Sequence, residues 1–253
     1  VVVPCCIYTP AERSRLREAL IAAARADARI TSAALTGSAA VDAEDEWSDI
    51  DLAFAVASEA TYDDVLADWT ARLYEEHGSV AHVDAMFGRT VIRVFLLAST
   101  RQIDLAFWPE AEFGAIAATF RLLFGTAHER PHPSAPTAPE LTGMAWLYAL
   151  HARSSLARGR MWQAEHMLSG VRDHVLALMC VRHGLPAAQG RGMDQLPAAE
   201  TAPLRGALAC SLDAAELGRA LRVVVDALVA EVERGEPRLA AQLVPALRAL
   251  SSR

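Results

Sequence analysis

Four prolines within nine residues, Pro131, Pro133, Pro136 and Pro139, break the chain near its midpoint. Proline fixes its own φ and has no backbone N–H to donate, so neither a helix nor a central strand runs through such a cluster. The patterns on its two sides differ in kind. Before it, helical and strand periodicities alternate. After it the pattern is helical to the end, with stops expected at Gly159, at Gly184 with Pro186, and at Gly235 with Pro237. The segment 126–140 therefore reads as a linker.

In the first half, Thr9-Pro10-Ala11-Glu12 forms a capping box with proline at the first helical position, opening a helix to about Ala28. Ile30 to Thr36 reads as a strand ended by Gly37-Ser38, and Ile50, Leu52, Phe54 and Val56 alternate along a second. Tyr62, Leu66, Trp69 and Leu73 recur at helical spacing, with Gly78 as the C-terminal cap. Val80 to Met86 reads as a strand, and Thr90 to Leu97 with Gln102 to Phe107 as a hairpin. Thr137 with Glu140 repeats the capping box at the start of the helical half.

A chain of 253 residues, 53% hydrophobic and 22% charged, can bury a core without a disulfide or metal staple. Its net charge of −7 argues against a partner held mainly through phosphate neutralisation, so nucleic acid is not expected. Its 24 basic residues are all arginine, which excludes lysine Schiff-base chemistry and a P-loop lysine. Cys5, Cys6, Cys180 and Cys210 have no zinc spacing and read as small apolar residues in a reducing cytoplasm. Val1 to Tyr8 is too short for a signal peptide, and no apolar run is long enough to span a membrane.

Alternation also locates the chemistry. If Ile50, Leu52 and Phe54 face the core, Asp49 and Asp51 project together from the opposite side. Paired carboxylates repel unless a cation lies between them, and hard oxygen ligands suit Mg²⁺. Likewise, Ile103, Leu105 and Phe107 facing the core would place Asp104 where it can join them. Gly37-Ser38, at a sharp turn after a strand, offers backbone N–H groups and a hydroxyl to phosphate oxygens. Three acids beside such a turn form a two-metal phosphoryl-transfer pattern.

Gly37-Ser38, then Ser48-Asp49-Ile50-Asp51, then Gln102-Ile103-Asp104-Leu105, resembles the DNA polymerase β-like nucleotidyltransferase superfamily over about residues 28–108. The helical half, with Leu156 to Ala164, is similar to the bundle of aminoglycoside and lincosamide nucleotidyltransferases. The resemblance implies an α+β fold: a nucleotidyltransferase domain with a small mixed sheet (1–125), the proline-rich linker (126–140) and an all-helical bundle domain (141–253). It implies a site in the cleft between the domains. Gly37 and Ser38 would bind the β,γ-phosphates of ATP, and Asp49 and Asp51 would hold Mg²⁺. Asp104 would be metal ligand, general base or both. AMP would pass to a hydroxyl of a small molecule, in the manner of an antibiotic-modifying enzyme. A protein or RNA acceptor, including the toxin–antitoxin kind, and a non-catalytic nucleotide-binding protein are the alternatives.

Around this core, the four acids of the loop Asp42 to Trp47 are either solvated or an attraction for a cationic acceptor such as an aminosugar. Trp47 either stacks on a ligand or packs half-buried. Arg160 and Arg172 reach the cleft or face solvent, and His128 with His132 do not define a zinc site. Trp146, Tyr148, Trp162 and Met167 are expected in the core of the helical bundle.

Overall fold

The first helix, α1 (Pro10–Ala26), begins at a complete capping box: the Thr9 hydroxyl accepts from the Glu12 N–H, and the Glu12 carboxylate accepts from the Thr9 N–H. It ends before Ala28 because Asp27 is extended, its carboxylate accepting from the backbone and guanidinium of Arg29. The computed structural model describes residues 9–58, 61–132, 134–235 and 237–251; Cys5, Cys6, the rest of Val1 to Tyr8, and Pro133 lie outside them.

After α1 come β1 (Ile30–Thr36), a 3₁₀ turn (Gly37–Val41), β2 (Ile50–Val56), α2 (Tyr62–His77), β3 (Ser79–Phe87), β4 (Thr90–Leu97) and β5 (Gln102–Pro109). The short β6 (Gly114–Ala115), β7 (Phe120–Phe124) and the short β8 (His128–Glu129) complete this unit. Six strands form a mixed sheet in the order β3-β4-β5-β2-β1-β7. β2 and β5 run parallel, and the other neighbours are antiparallel.

Strand alternation divides the sheet into two unlike faces. Ile50, Leu52, Phe54, Ile103, Leu105 and Phe107 are fully buried on one face, against Leu20 of α1 and Trp69 and Leu73 of α2. Phe54, Trp69 and Phe107 pack as an aromatic cluster, with ring centroids 4.8 to 6.3 Å apart. Truncating a ring of that kind to alanine costs about 3–5 kcal/mol, so this layer holds the strands in place. The opposite face carries small residues: Ala34, Ala53 and Ala55 cluster with Trp108 and Phe113.

Two elements near the proline cluster were not read from the sequence. β7 pairs with β1 at the sheet edge, and β8, inside the segment read as linker, pairs in parallel with β6. Compact units divide at Pro133/Ser134. The second unit is helical: α3 (Ala138–Ala157), α4 (Met161–Arg182), the single-turn α5 (Ala198–Thr201), α6 (Ala214–Gly235) and α7 (Pro237–Ser251). Thr137 and Glu140 form the expected capping box, and Gly159 and Gly184 take positive φ just beyond α3 and α4. The architecture is thus α+β, a mixed sheet with helices followed by an all-helical unit.

Trp146, Tyr148 and Met167 pack against the helical core, but Trp162 is 77% exposed and belongs to no core. Position 162 lies in the first turn of α4, beside the exposed Arg160 cap, where the bundle does not cover it. Arg172 is half-buried beside Asp173. Cys180 is buried as expected of a small apolar residue, whereas Cys210 is an exposed free thiol. No described helix is long and apolar enough to cross a membrane.

Candidate active site

Asp51 and Asp104 are direct register partners across the parallel β2–β5 pair. The residues on either side of them, Ile50 with Leu52 and Ile103 with Leu105, are fully buried beneath α1 and α2. That burial turns both carboxylates to the open face. Asp49 precedes β2, and one carboxylate oxygen from each of Asp49, Asp51 and Asp104 lies within 4.8 Å of the others. All three are half-buried.

Three like charges at that spacing need compensation: two unit charges about 5 Å apart repel by about 3 kcal/mol at an effective dielectric of about 20. Part of it comes from Gln102, whose side-chain amide donates to Asp104 Oδ1 at 2.9 Å and to Asp49 Oδ2 at 3.3 Å. Burial, with the Asp49 charge adding to it, pushes the Asp104 carboxyl up to about 6, against the opposing pull of the Gln102 hydrogen bond. Sequence reading gave Gln102 no role. The signal was present, since two residues before Asp104 on one strand means the same face.

Gly37 has φ +61° and lies under Asp51. A Cβ added there would stand 2.1 Å from Asp51 Oδ2. Glycine is therefore required twice, by the left-handed backbone and by the close approach of a carboxylate. Ser38 is half-buried in the 3₁₀ turn, where its carbonyl accepts from the N–H groups of Asp42 and Ala43. The turn thus brings Gly37 against Asp51, with Ser38 the next residue of the turn.

The loop between turn and β2 is exposed along most of its length but braced at several points. The buried guanidinium of Arg13 donates to the carbonyls of Asp45 (2.6 Å) and Ser48 (3.1 Å) and pairs with Glu44 (3.0 Å), which also pairs with Arg17. Arg121 of β7 takes Asp42 through both carboxylate oxygens and also donates to the Ala39 carbonyl. Asp45 accepts from the Trp47 N–H and the Ser48 hydroxyl, which hold its carboxyl below the usual range. Glu44 is half-buried in its ion pairs, whereas Asp42 and Asp45, though paired, are exposed, and so is Glu46; the solvated reading holds for those three. Trp47 is 76% exposed, so it is not a packing aromatic. His128 falls in β8 and His132 on the exposed surface, away from any described cluster of potential metal ligands.

No family model matches the chain, and no curated protein matches it. Among solved structures, an aminoglycoside 6-adenyltransferase from Bacillus subtilis aligns over 92% of this chain and 96% of its own. Identity is 15% and the TM-score 0.38. A likeness so distant assigns no activity here.

The donor set decides what the site suits. It is all oxygen, from carboxylates on β2, on β5 and just before β2, with the Gln102 amide shared between Asp49 and Asp104. Hard divalent ions that keep phosphate or water ligands favour such a set, and Mg²⁺ is the fitting cation.

Proposed function

We propose that the first unit is an Mg²⁺-dependent nucleotidyltransferase moving a nucleoside monophosphate, AMP from ATP, onto a hydroxyl of a small molecule. The observation that carries this reading is the in-register pairing of Asp51 with Asp104, Asp49 beside them and Gly37 directly beneath. Asp49 and Asp51 would hold Mg²⁺, with Asp104 as a third ligand. When bound, the metal supplies charge neutralisation to the polyphosphate and its leaving group.

The protein's own groups divide the remaining work. Ser38 and the Gly37 backbone would hold the β,γ-phosphates at the open end of the 3₁₀ turn, where the first N–H groups have no partner within the turn. Asp104 would accept the proton of the acceptor hydroxyl as its oxygen bonds to the α-phosphorus and the bond to the pyrophosphate oxygen breaks. Gln102 would keep Asp104 and Asp49 oriented until the substrates arrive. The resemblance supports an antibiotic as acceptor, and the net charge of −7 weighs against RNA.

Incubation with α-labelled ATP and Mg²⁺, with and without a panel of aminoglycosides and lincosamides, tests the reading through labelled product and released pyrophosphate. Label on a small molecule supports it. Label on the protein or on added RNA would transfer the chemistry to another acceptor class, and nucleotide binding without turnover would make this a binding protein.

A further inference from the structure

Beside the acids the open face of the sheet is hollow. A cavity of about 240 Å³ begins at Asp51 and Asp104 and lies entirely within the first unit. Its floor is the register pair Ala53 and Ala106, two residues along β2 and β5 from the two aspartates. They therefore stand on the same face as the acids, roughly 7 Å further along the strands. Trp108, Ile116 and Phe120 close the sides.

The hollow follows from the side-chain sizes. On the helix-covered face the same two strands carry Leu52, Phe54, Leu105 and Phe107, all fully buried. On the open face the intervening positions are alanine, so the space a branched side chain would fill stays free. An engineered apolar cavity of about 150 Å³ takes up benzene, whereas sites for whole drug-sized ligands run to about 300–1,000 Å³. At about 240 Å³ this one admits a single or fused ring, not an entire large molecule.

The chemistry of the walls narrows the occupant. Apart from the two aspartates, the lining residues with polar side-chain groups are Thr36, Thr119 and Trp108, the last through its indole N–H alone. A polycation would have to bring its charges against Ala53, Ala106, Ile92, Ile116 and Phe120, with no acid in the lining besides the two aspartates assigned to the metal. A nucleobase would bring several ring nitrogens and exocyclic groups to walls whose side chains offer two hydroxyls and one indole N–H, and unmet polar groups weigh against burial. Asp104 at the rim belongs with the acceptor, whose proton it takes.

We infer that this cavity is the acceptor pocket, and that the acceptor carries an uncharged apolar ring which enters it while its hydroxyl stays at Asp104. The inference rests on the transfer reading above and narrows it: the substrate class is a hydroxyl-bearing molecule with an apolar ring, not a polycationic aminosugar.

The test uses the full chain with ¹³C-labelled alanine and isoleucine methyls, and tryptophol (an indole ring bearing a primary hydroxyl) as probe. Tryptophol should shift the Ala53, Ala106, Ile92 and Ile116 methyls saturably, with or without Mg²⁺ and a non-hydrolysable ATP analogue. Ala106→Leu should weaken it at least tenfold and leave the affinity for the nucleotide analogue unchanged. Thr119→Leu, in the loop rather than the sheet, should give the same split if the first variant folds poorly. Absence of methyl shifts, displacement of tryptophol by the nucleotide analogue, or its displacement by kanamycin at tenfold lower concentration would each overturn the inference. Should tryptophol bind normally while Mg²⁺-nucleotide fails to bind, the transfer reading falls and the apolar ligand site stands.

Discussion

The guanidinium of Arg13, on the first helix, donates to the carbonyl oxygen of Ser48 at 3.1 Å, one residue before Asp49. Through the same side chain it holds the Asp45 carbonyl and the Glu44 carboxylate, so a buried cation fixes the strand entry from which the first acid projects. Arg13→Ala leaves two carbonyls without that donor. We expect a stability loss of about 2–4 kcal/mol, seen as a lower urea midpoint, together with weaker Mg²⁺ binding. An unchanged midpoint would show that water replaces the guanidinium at little cost.

Gly37 provides a sharper probe of how the turn meets the acids. Gly37→Ala places a methyl where Asp51 Oδ2 now lies, so the carboxylate must move. Gly78→Ala shares the positive φ but meets nothing within 4 Å, and so isolates the backbone penalty. Both variants should lose about 1–2 kcal/mol of stability from the left-handed backbone. Only Gly37→Ala should lose Mg²⁺ affinity, by tenfold or more in calorimetric titration. Equal metal affinity in the two variants would remove Asp51 from the metal site.

The acids themselves should separate by role. Asp49→Asn or Asp51→Asn should lower turnover by about three orders of magnitude or more with folding close to wild type. Asp104→Asn should keep Mg²⁺–ATP affinity within about tenfold yet lose about a hundredfold in kcat, because it removes a proton acceptor rather than the nucleotide's anchor. If Asp104→Asn instead abolishes nucleotide binding while single-turnover chemistry survives at saturation, Asp104 is chiefly a metal ligand.

Asp104 also sets a pH dependence with a defined sign. Its carboxyl is raised to about 6 in the folded protein, so between its unfolded value and 6 the native state binds more protons than the unfolded chain. Without metal, this group's contribution should therefore weaken as pH rises from about 4 to 6 and level off above. Mg²⁺ binding, which needs the ionised carboxylate, should strengthen over the same interval. Thermal melts at a series of pH values, with and without Mg²⁺ and against Asp104→Asn, read both effects. Parallel curves for the variant and the wild type would place Asp104 in a more solvated setting.

The sequence announced the parts of this site that depend on periodicity. A period of two put Ile50, Leu52, Ile103 and Leu105 on the covered face and thereby turned Asp51 and Asp104 to the other, and the capping boxes at Thr9 and Thr137 follow from local hydrogen bonding alone. What lay hidden depends on contacts between distant residues. Arg13 reads as one more polar position of a surface helix, because nothing local indicates that residues 45–48 will fold over it. β7 lacks clean alternation and is defined by its pairing with β1. Trp47 and Trp162 share the composition of core aromatics, and only the folded surface shows both lying outside it.

The register of β2 against β5 has a further consequence for any population of these molecules. Sliding one strand by a single residue would carry Asp51 or Asp104 under the helices and expel a leucine or isoleucine in exchange. A chain that made this error would forfeit the very packing that lets it fold. Assembly of the acid cluster is thus proofread by the hydrophobic layer on the reverse of the sheet, and a preparation that melts in one cooperative step should contain no folded fraction with its acids out of place.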